Sequence, residues 1–153
     1  MKTLLLASAS VALAIAIAAA AAAPTGARPA ATQSKAALTV RTSPYGRVLF
    51  DGRGKALYAF TRDPKGGKSR CYGACAAAWP VYFATGSLRA AKGVQRRLIG
   101  TTVRRNGKRQ VTYAGRPLYY YVGDRSAGEI RCQNVTEFGG TWLVVRPNGR
   151  LVR

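Results

Sequence analysis

The residues of this 153-residue chain that can do chemistry are three cysteines, five carboxylates and two Tyr-Asp pairs. There is no histidine. That removes the commonest general base and metal ligand and excludes Ser-His-Asp or Cys-His catalysis within the chain. Tyr58 with Asp63 and Tyr119 with Asp124 share one spacing. Phenol and carboxylate together can bind a ligand or cation. They also read as a buried aromatic and a turn-capping aspartate, one set per copy of a duplicated segment. The packing reading is favoured, because repeats duplicate packing before they duplicate chemistry.

The carboxylates are Asp51, Asp63, Asp124, Glu129 and Glu137. Two of them could form a general acid/base pair for hydrolysis. However, Asp51 sits in a glycine turn and the two motif aspartates end strands. No catalytic residue is assigned, and the chain leans away from being an enzyme. Cys71-x3-Cys75 lacks the two-residue spacing of thioredoxin-like and zinc sites. Its thiolates could hold Cu(I) with Cys132, or they form a structural disulfide in an oxidising compartment. A Cys71–Cys75 bridge suits a helical turn or tight loop. A bridge from either to Cys132 would close a loop of roughly sixty residues and stabilise more. Spacing alone leaves both open, and no metal or other cofactor is assigned.

Net charge is +20, from 25 basic and 5 acidic residues. Such an excess attracts polyanions: nucleic acid, lipid headgroups or acidic wall polymers. Runs such as Arg104-Arg105-Asn106-Gly107-Lys108-Arg109 could contact phosphates. The aromatics fall within strands, not on an exposed stacking ladder. The partners implied are an anionic cell-wall polymer or a membrane surface, with no specific nucleic acid. The same charge also reads as a solvated face of an Arg- and Ala-biased protein.

The elements that must position these residues come from one segment that occurs twice. Residues 54–63 read GKALYAFTRD and residues 115–124 read GRPLYYYVGD, with the tyrosines 61 residues apart. Before them, Met1-Lys2, an apolar stretch and alanines up to Ala23 read as a secretory signal peptide, residues 1–23, cut near Ala22 or Ala23. An uncleaved anchor is the alternative. Residues 24–37 read as a flexible linker. Residues 38–153 then form one domain of two repeats, about 38–91 and 98–149. Neither copy has core enough to fold alone.

In the first repeat, residues 38–42, 47–50 and 57–61 alternate as strands, separated by the Ser43–Gly46 and Asp51–Gly54 turns. Tyr58 and Phe60 face one side, and Leu57 and Ala59 the other. Ala76–Ala78 suit a short helix that Pro80 stops. Residues 81–83 read as a last short strand. In the second repeat, residues 98–104, 110–113 and 118–122 are strands, with Asn106-Gly107 as a hairpin turn and residues 139–145 closing. Residues 92–97 are a basic connector. The fold class is mainly β: two related antiparallel meanders packed pseudo-symmetrically, with a short helix after the cysteine pair.

Five features in order resemble the bacterial secreted and lipoprotein repeats defined by a Tyr-x4-Asp motif. They are Tyr58 to Asp63, Cys71-x3-Cys75, Ala77-x-Trp79-Pro80, Tyr119 to Asp124, and Phe138-Gly139-Gly140-Thr141-Trp142. The resemblance spans about residues 38–149 and implies no established activity. It implies that Cys71 and Cys75 pair within one repeat, leaving Cys132 free. It also marks Trp79 and Trp142 as structural aromatics. Cys132 has no assignment in the pattern, and the lipid-attachment cysteine of many relatives is absent. An exported, non-enzymatic binding protein of the envelope or medium, not lipid-anchored, is therefore expected. An envelope redox or metal-handling protein and a carboxylate hydrolase are the alternatives.

Overall fold

The computed structural model describes residues 38–153. The expected signal peptide and linker lie outside the described residues. Among the described residues, eight strands form two sheets in which every strand pairing is antiparallel. β1 (Leu38–Ser43) and β2 (Gly46–Asp51) are a two-stranded ribbon. β3 (Tyr58–Phe60), β4 (Ile99–Val103), β5 (Arg109–Tyr113), β6 (Arg116–Tyr119), β7 (Val135–Glu137) and β8 (Gly140–Val144) form a six-stranded sheet ordered β4-β5-β6-β3-β8-β7.

Turn chemistry explains the connections. The β5–β6 loop is Ala114-Gly115 at φ 49° and 74°, and the β7–β8 loop is Phe138-Gly139 at φ 54° and 76°. A type I′ two-residue hairpin has both central residues left-handed, which matches strand twist. Ala114 and Phe138 accept that conformation, which costs an L-residue about 1 kcal/mol or more. β7 was not expected from the sequence, because Phe-Gly is not a recognisable turn signal. The short strand read at residues 81–83 appears as two isolated bridges, Val81 to Tyr119 and Phe83 to Gln110. The connector before β4 closes as a 3-10 helix, Arg96–Leu98.

β3 is the hub. Its residues are all buried, and both of its ladder neighbours, β6 and β8, come from the second repeat. The period of two divides its side chains as expected. Tyr58 and Phe60 enter one core with Val48, Tyr119, Trp79 and Trp142. Leu57 and Ala59 enter the other with Leu49, Val111 and Leu118. Full burial of Tyr58 or Phe60 stabilises by roughly 2–3 kcal/mol each. Helix α1 (Ala74–Ala78) carries Cys75 in its first turn, so it begins within the cysteine pair. Gly73 precedes it at φ 54°, Trp79 N–H donates to Cys75 O at 2.8 Å, and Pro80 follows.

Candidate functional site

β3 and β6 run antiparallel with Tyr58 opposite Tyr119. Each strand therefore starts beside the end of the other, and the tyrosines reach across repeats. Tyr58 Oη donates to Asp124 Oδ2 at 2.8 Å and Tyr119 Oη to Asp63 Oδ2 at 2.6 Å. The two carboxylates are held alike. Asp63 accepts the Arg70 N–H at 2.7 Å, and Asp124 accepts the Arg131 N–H at 2.9 Å. Both sit in a turn closed by their own N–H, to Phe60 O and to Tyr121 O.

Burial pushes both carboxyls above the ordinary aspartate value, while the tyrosine hydroxyl and the backbone N–H oppose it. Burial likewise raises both phenols, and the neighbouring carboxylates raise them further. The tyrosines are therefore protonated donors, not phenolate nucleophiles. The aspartates are buried in turns, each already holding two donors.

Between the crossed pairs stands a column of four rings. Phe60 stacks on Trp142 at 4.2 Å and 9°, Trp142 on Trp79 at 3.9 Å and 1°, and Trp79 meets Tyr121 at 4.7 Å and 38°. Tyr58 and Tyr119 pack edge-on, at 5.2 Å to Trp79 and 5.1 Å to Trp142. The arrangement is close to two-fold, and such offset and edge contacts add about 0.5–1.5 kcal/mol per pair beyond area burial. Its polar ends differ. Trp79 Nε1 donates to Glu137 Oε2 at 3.1 Å, whereas Trp142 Nε1 is buried without a partner.

Cys71 and Cys75 are disulfide-bonded, with Cα atoms 5.3 Å apart, and Cys132 is a buried free thiol. Burial pushes the Cys132 thiol up, and the Tyr121 hydroxyl beside it opposes. Cys132 lies 61 residues after Cys71, as Arg131 does after Arg70, so it is the second-repeat copy of Cys71. The repeat offset carried this assignment and sequence reasoning missed it. The same offset places Cys75 at Thr136, which lies on β7 instead of a helix. Among the described residues, no group of three His, Cys, Asp or Glu is placed to hold a metal.

One expectation is corrected. Arg104, read as part of a phosphate-contacting run, is only 7% exposed. Its guanidinium donates to Ser69 Oγ and Gln110 Oε1 at 2.8 Å each and to Cys71 O at 2.6 Å. Ser69 Oγ also lies 2.6 Å from Tyr119 Oη, to which it donates, because the one phenol proton goes to Asp63. The β4–β5 hairpin turns Arg104 inward, where its fork of donors meets acceptors on three buried residues. Arg105 stays outside, its guanidinium 4.4 Å from the Tyr72 ring centroid.

All five acids are engaged internally. Asp51 accepts from Arg53 and Lys55 N–H, the Arg53 side chain and Tyr120 Oη. Asp63, Asp124 and Glu137 bond the tyrosines and Trp79 as above. Glu129 caps the Arg125 and Ser126 N–H groups and pairs Arg131. Among the described residues only Arg53–Asp51 and Arg131–Glu129 are ion pairs. The remaining surface charge is therefore uncompensated.

A family model described as a secreted repeat of unknown function matches residues 39–82 and 100–146. No curated protein and no solved structure matches the chain. Among the described residues, no helix is long and apolar enough to cross a membrane.

Proposed function

This chain belongs to the family of secreted repeats of unknown function, and we propose that it is an exported, non-enzymatic interaction protein that holds anionic polymers of the cell envelope. A cleaved signal peptide exports it, and no lipid anchors it. The observation that carries this reading is the commitment of all five acids to internal contacts. They leave almost none of the cationic surface neutralised, and a polyanion is what such a surface attracts. The crossed Tyr-Asp bonds and the ring column act as the rigid frame. The test is binding of the exported protein to purified anionic wall polymer at about 0.05 and 0.5 M salt. Screening should weaken it steeply, and an affinity indifferent to salt would sink the reading.

A second reading has its own support. A phenol 2.8 Å from a carboxylate and a tryptophan pair at 3.9 Å suit one-electron transfer. A one-electron oxidant would take an electron from Tyr58 while its proton passes to Asp124. Photo-oxidation should then produce a tyrosyl radical by electron paramagnetic resonance that Tyr58→Phe and Tyr119→Phe together remove. Survival of the signal in the double variant rules this reading out.

A further inference from the structure

The two ends of the β3–β6 pair are built alike but charged differently. At one end the Gly128 N–H donates to Gly54 O at 2.8 Å; at the other the Gly66 N–H donates to Gly115 O at 2.7 Å. At the Gly54 end, cations meet acceptors. Asp51 pairs Arg53, Glu129 pairs Arg131, and Lys55 Nζ donates to Asp124 O at 2.5 Å. An offset of 61 residues gives the corresponding positions at the Gly115 end. There Thr112 replaces Asp51, Lys65 replaces Ser126, Lys68 replaces Glu129 and Arg116 replaces Lys55. The buried Asp51 and the part-exposed Glu129 have been lost and two lysines gained, while Ala114 stands for Arg53 and Pro64 for Arg125, so the Gly115 end is left more positive and without a carboxylate to pair its cations.

That end carries a groove of about 280 Å³ lined by Lys65, Arg116, Gly149, Arg150, Leu151 and Arg153. None of its four cations is in an ion pair, and Lys65, Arg150 and Arg153 are exposed. The next residues along each chain segment, Gly66 and Gly115, line a second concavity of about 320 Å³ with Arg97, Thr101, Thr102 and Thr112. Cations in one hollow, and Arg97 with the part-exposed Thr101 and Thr102 in its neighbour (Thr112 is buried and Thr101 Oγ1 already accepts from Arg109), suit a chain that alternates an anionic group with a hydroxylated spacer. Arginine forks favour phosphate oxygens in particular.

Resting on the polyanion-binding reading, we propose that this groove binds the phosphodiester backbone of a polyol-phosphate polymer, with the spacer hydroxyls against the threonines. The test uses the exported chain and fluorescent poly(glycerol phosphate) over a salt series. It compares a groove variant, Lys65→Ser/Arg150→Ser/Arg153→Ser, with a control of equal charge change at exposed positions elsewhere, Arg47→Ser/Lys92→Ser/Arg125→Ser. The groove variant should bind about tenfold more weakly, and its slope of log affinity against log salt should fall by about 2. The control should change less than about threefold. Near-UV circular dichroism checks folding, and Lys65→Ser alone, which copies Ser126, should give a smaller loss of the same kind. Equal weakening in both triple variants overturns the groove but leaves the broader reading standing. Failure of the unaltered protein to bind any polyanion at low salt overturns both. Tighter binding of poly-glutamate, a single-stranded oligonucleotide or phosphatidylglycerol vesicles than of poly(glycerol phosphate) overturns the ligand class.

Discussion

Tyr119 donates its hydroxyl to Asp63 of the other repeat, 2.6 Å away and 56 residues back in the chain. The motif is thus wired between copies, as Tyr58–Asp124 also shows. Double-mutant cycles with Tyr→Phe and Asp→Asn should follow this wiring. Coupling should be about 1 kcal/mol or more for Tyr58–Asp124 and Tyr119–Asp63, and under about 0.5 kcal/mol for Tyr58–Asp63 and Tyr119–Asp124. Urea unfolding measures it, and coupling confined within each repeat would refute the crossed arrangement.

Stability should respond to acid in an unusual direction. Burial raises the folded-state values of Asp63 and Asp124 above 3.8, so the folded chain binds more protons than the unfolded one between 3.8 and those raised values. Unfolding free energy therefore rises as pH falls from neutral through that window. Glu129 works the other way. Hydrogen bonds from Arg131 and backbone N–H groups hold it at about 2 against an ordinary 4.5. Its contribution is complete above 4.5 and is lost as pH falls towards 2. Chemical denaturation should show stability rising as pH falls from neutral and falling again towards pH 2, and Asp63→Asn/Asp124→Asn should flatten the rise on the alkaline side.

Cys132 should resist modification while the protein is folded. It is 9% exposed and burial raises its thiol, so little reactive thiolate is present near neutral pH. Thiol blocking followed by non-reducing peptide mapping should find a linked Cys71–Cys75 peptide, with Cys132 labelled slowly in buffer and fully in denaturant. Fast labelling in buffer would contradict the burial.

Arg104→Lys should lower the unfolding free energy by about 2 kcal/mol, although charge is conserved. A lysine ammonium cannot span Ser69, Gln110 and the Cys71 carbonyl from one planar group. Arg105→Lys, at the exposed neighbour, should be within about 0.5 kcal/mol of the parent. Equal effects at the two positions would refute the buried role.

Glu137→Ala should leave a second indole N–H unpartnered beside that of Trp142. The expected cost is about 1–3 kcal/mol, read by urea unfolding together with a shift in tryptophan emission. No loss of stability would mean that water serves Trp79 equally well.

Local pattern was enough to read the repeat, the β class, the short alanine helix and the split of Tyr58 and Phe60 from Leu57 and Ala59. The repeat needs only a comparison of segments 61 residues apart, and the others depend on residues within a few positions of one another: period-two alternation, glycine turns, and Pro80 as a stop. Even the identity of Cys132 as the copy of Cys71 was present in the 61-residue offset. Tertiary structure alone decided the rest, because each remaining feature joins residues far apart in the chain. Antiparallel pairing of β3 with β6 determines which aspartate each tyrosine reaches. Insertion of β3 between β6 and β8 brings Trp79 and Trp142 face to face. The inward turn of the β4–β5 hairpin separates a buried Arg104 from an exposed Arg105. Two adjacent arginines carry the same charge in the sequence, and only the packing around them decides which one meets water.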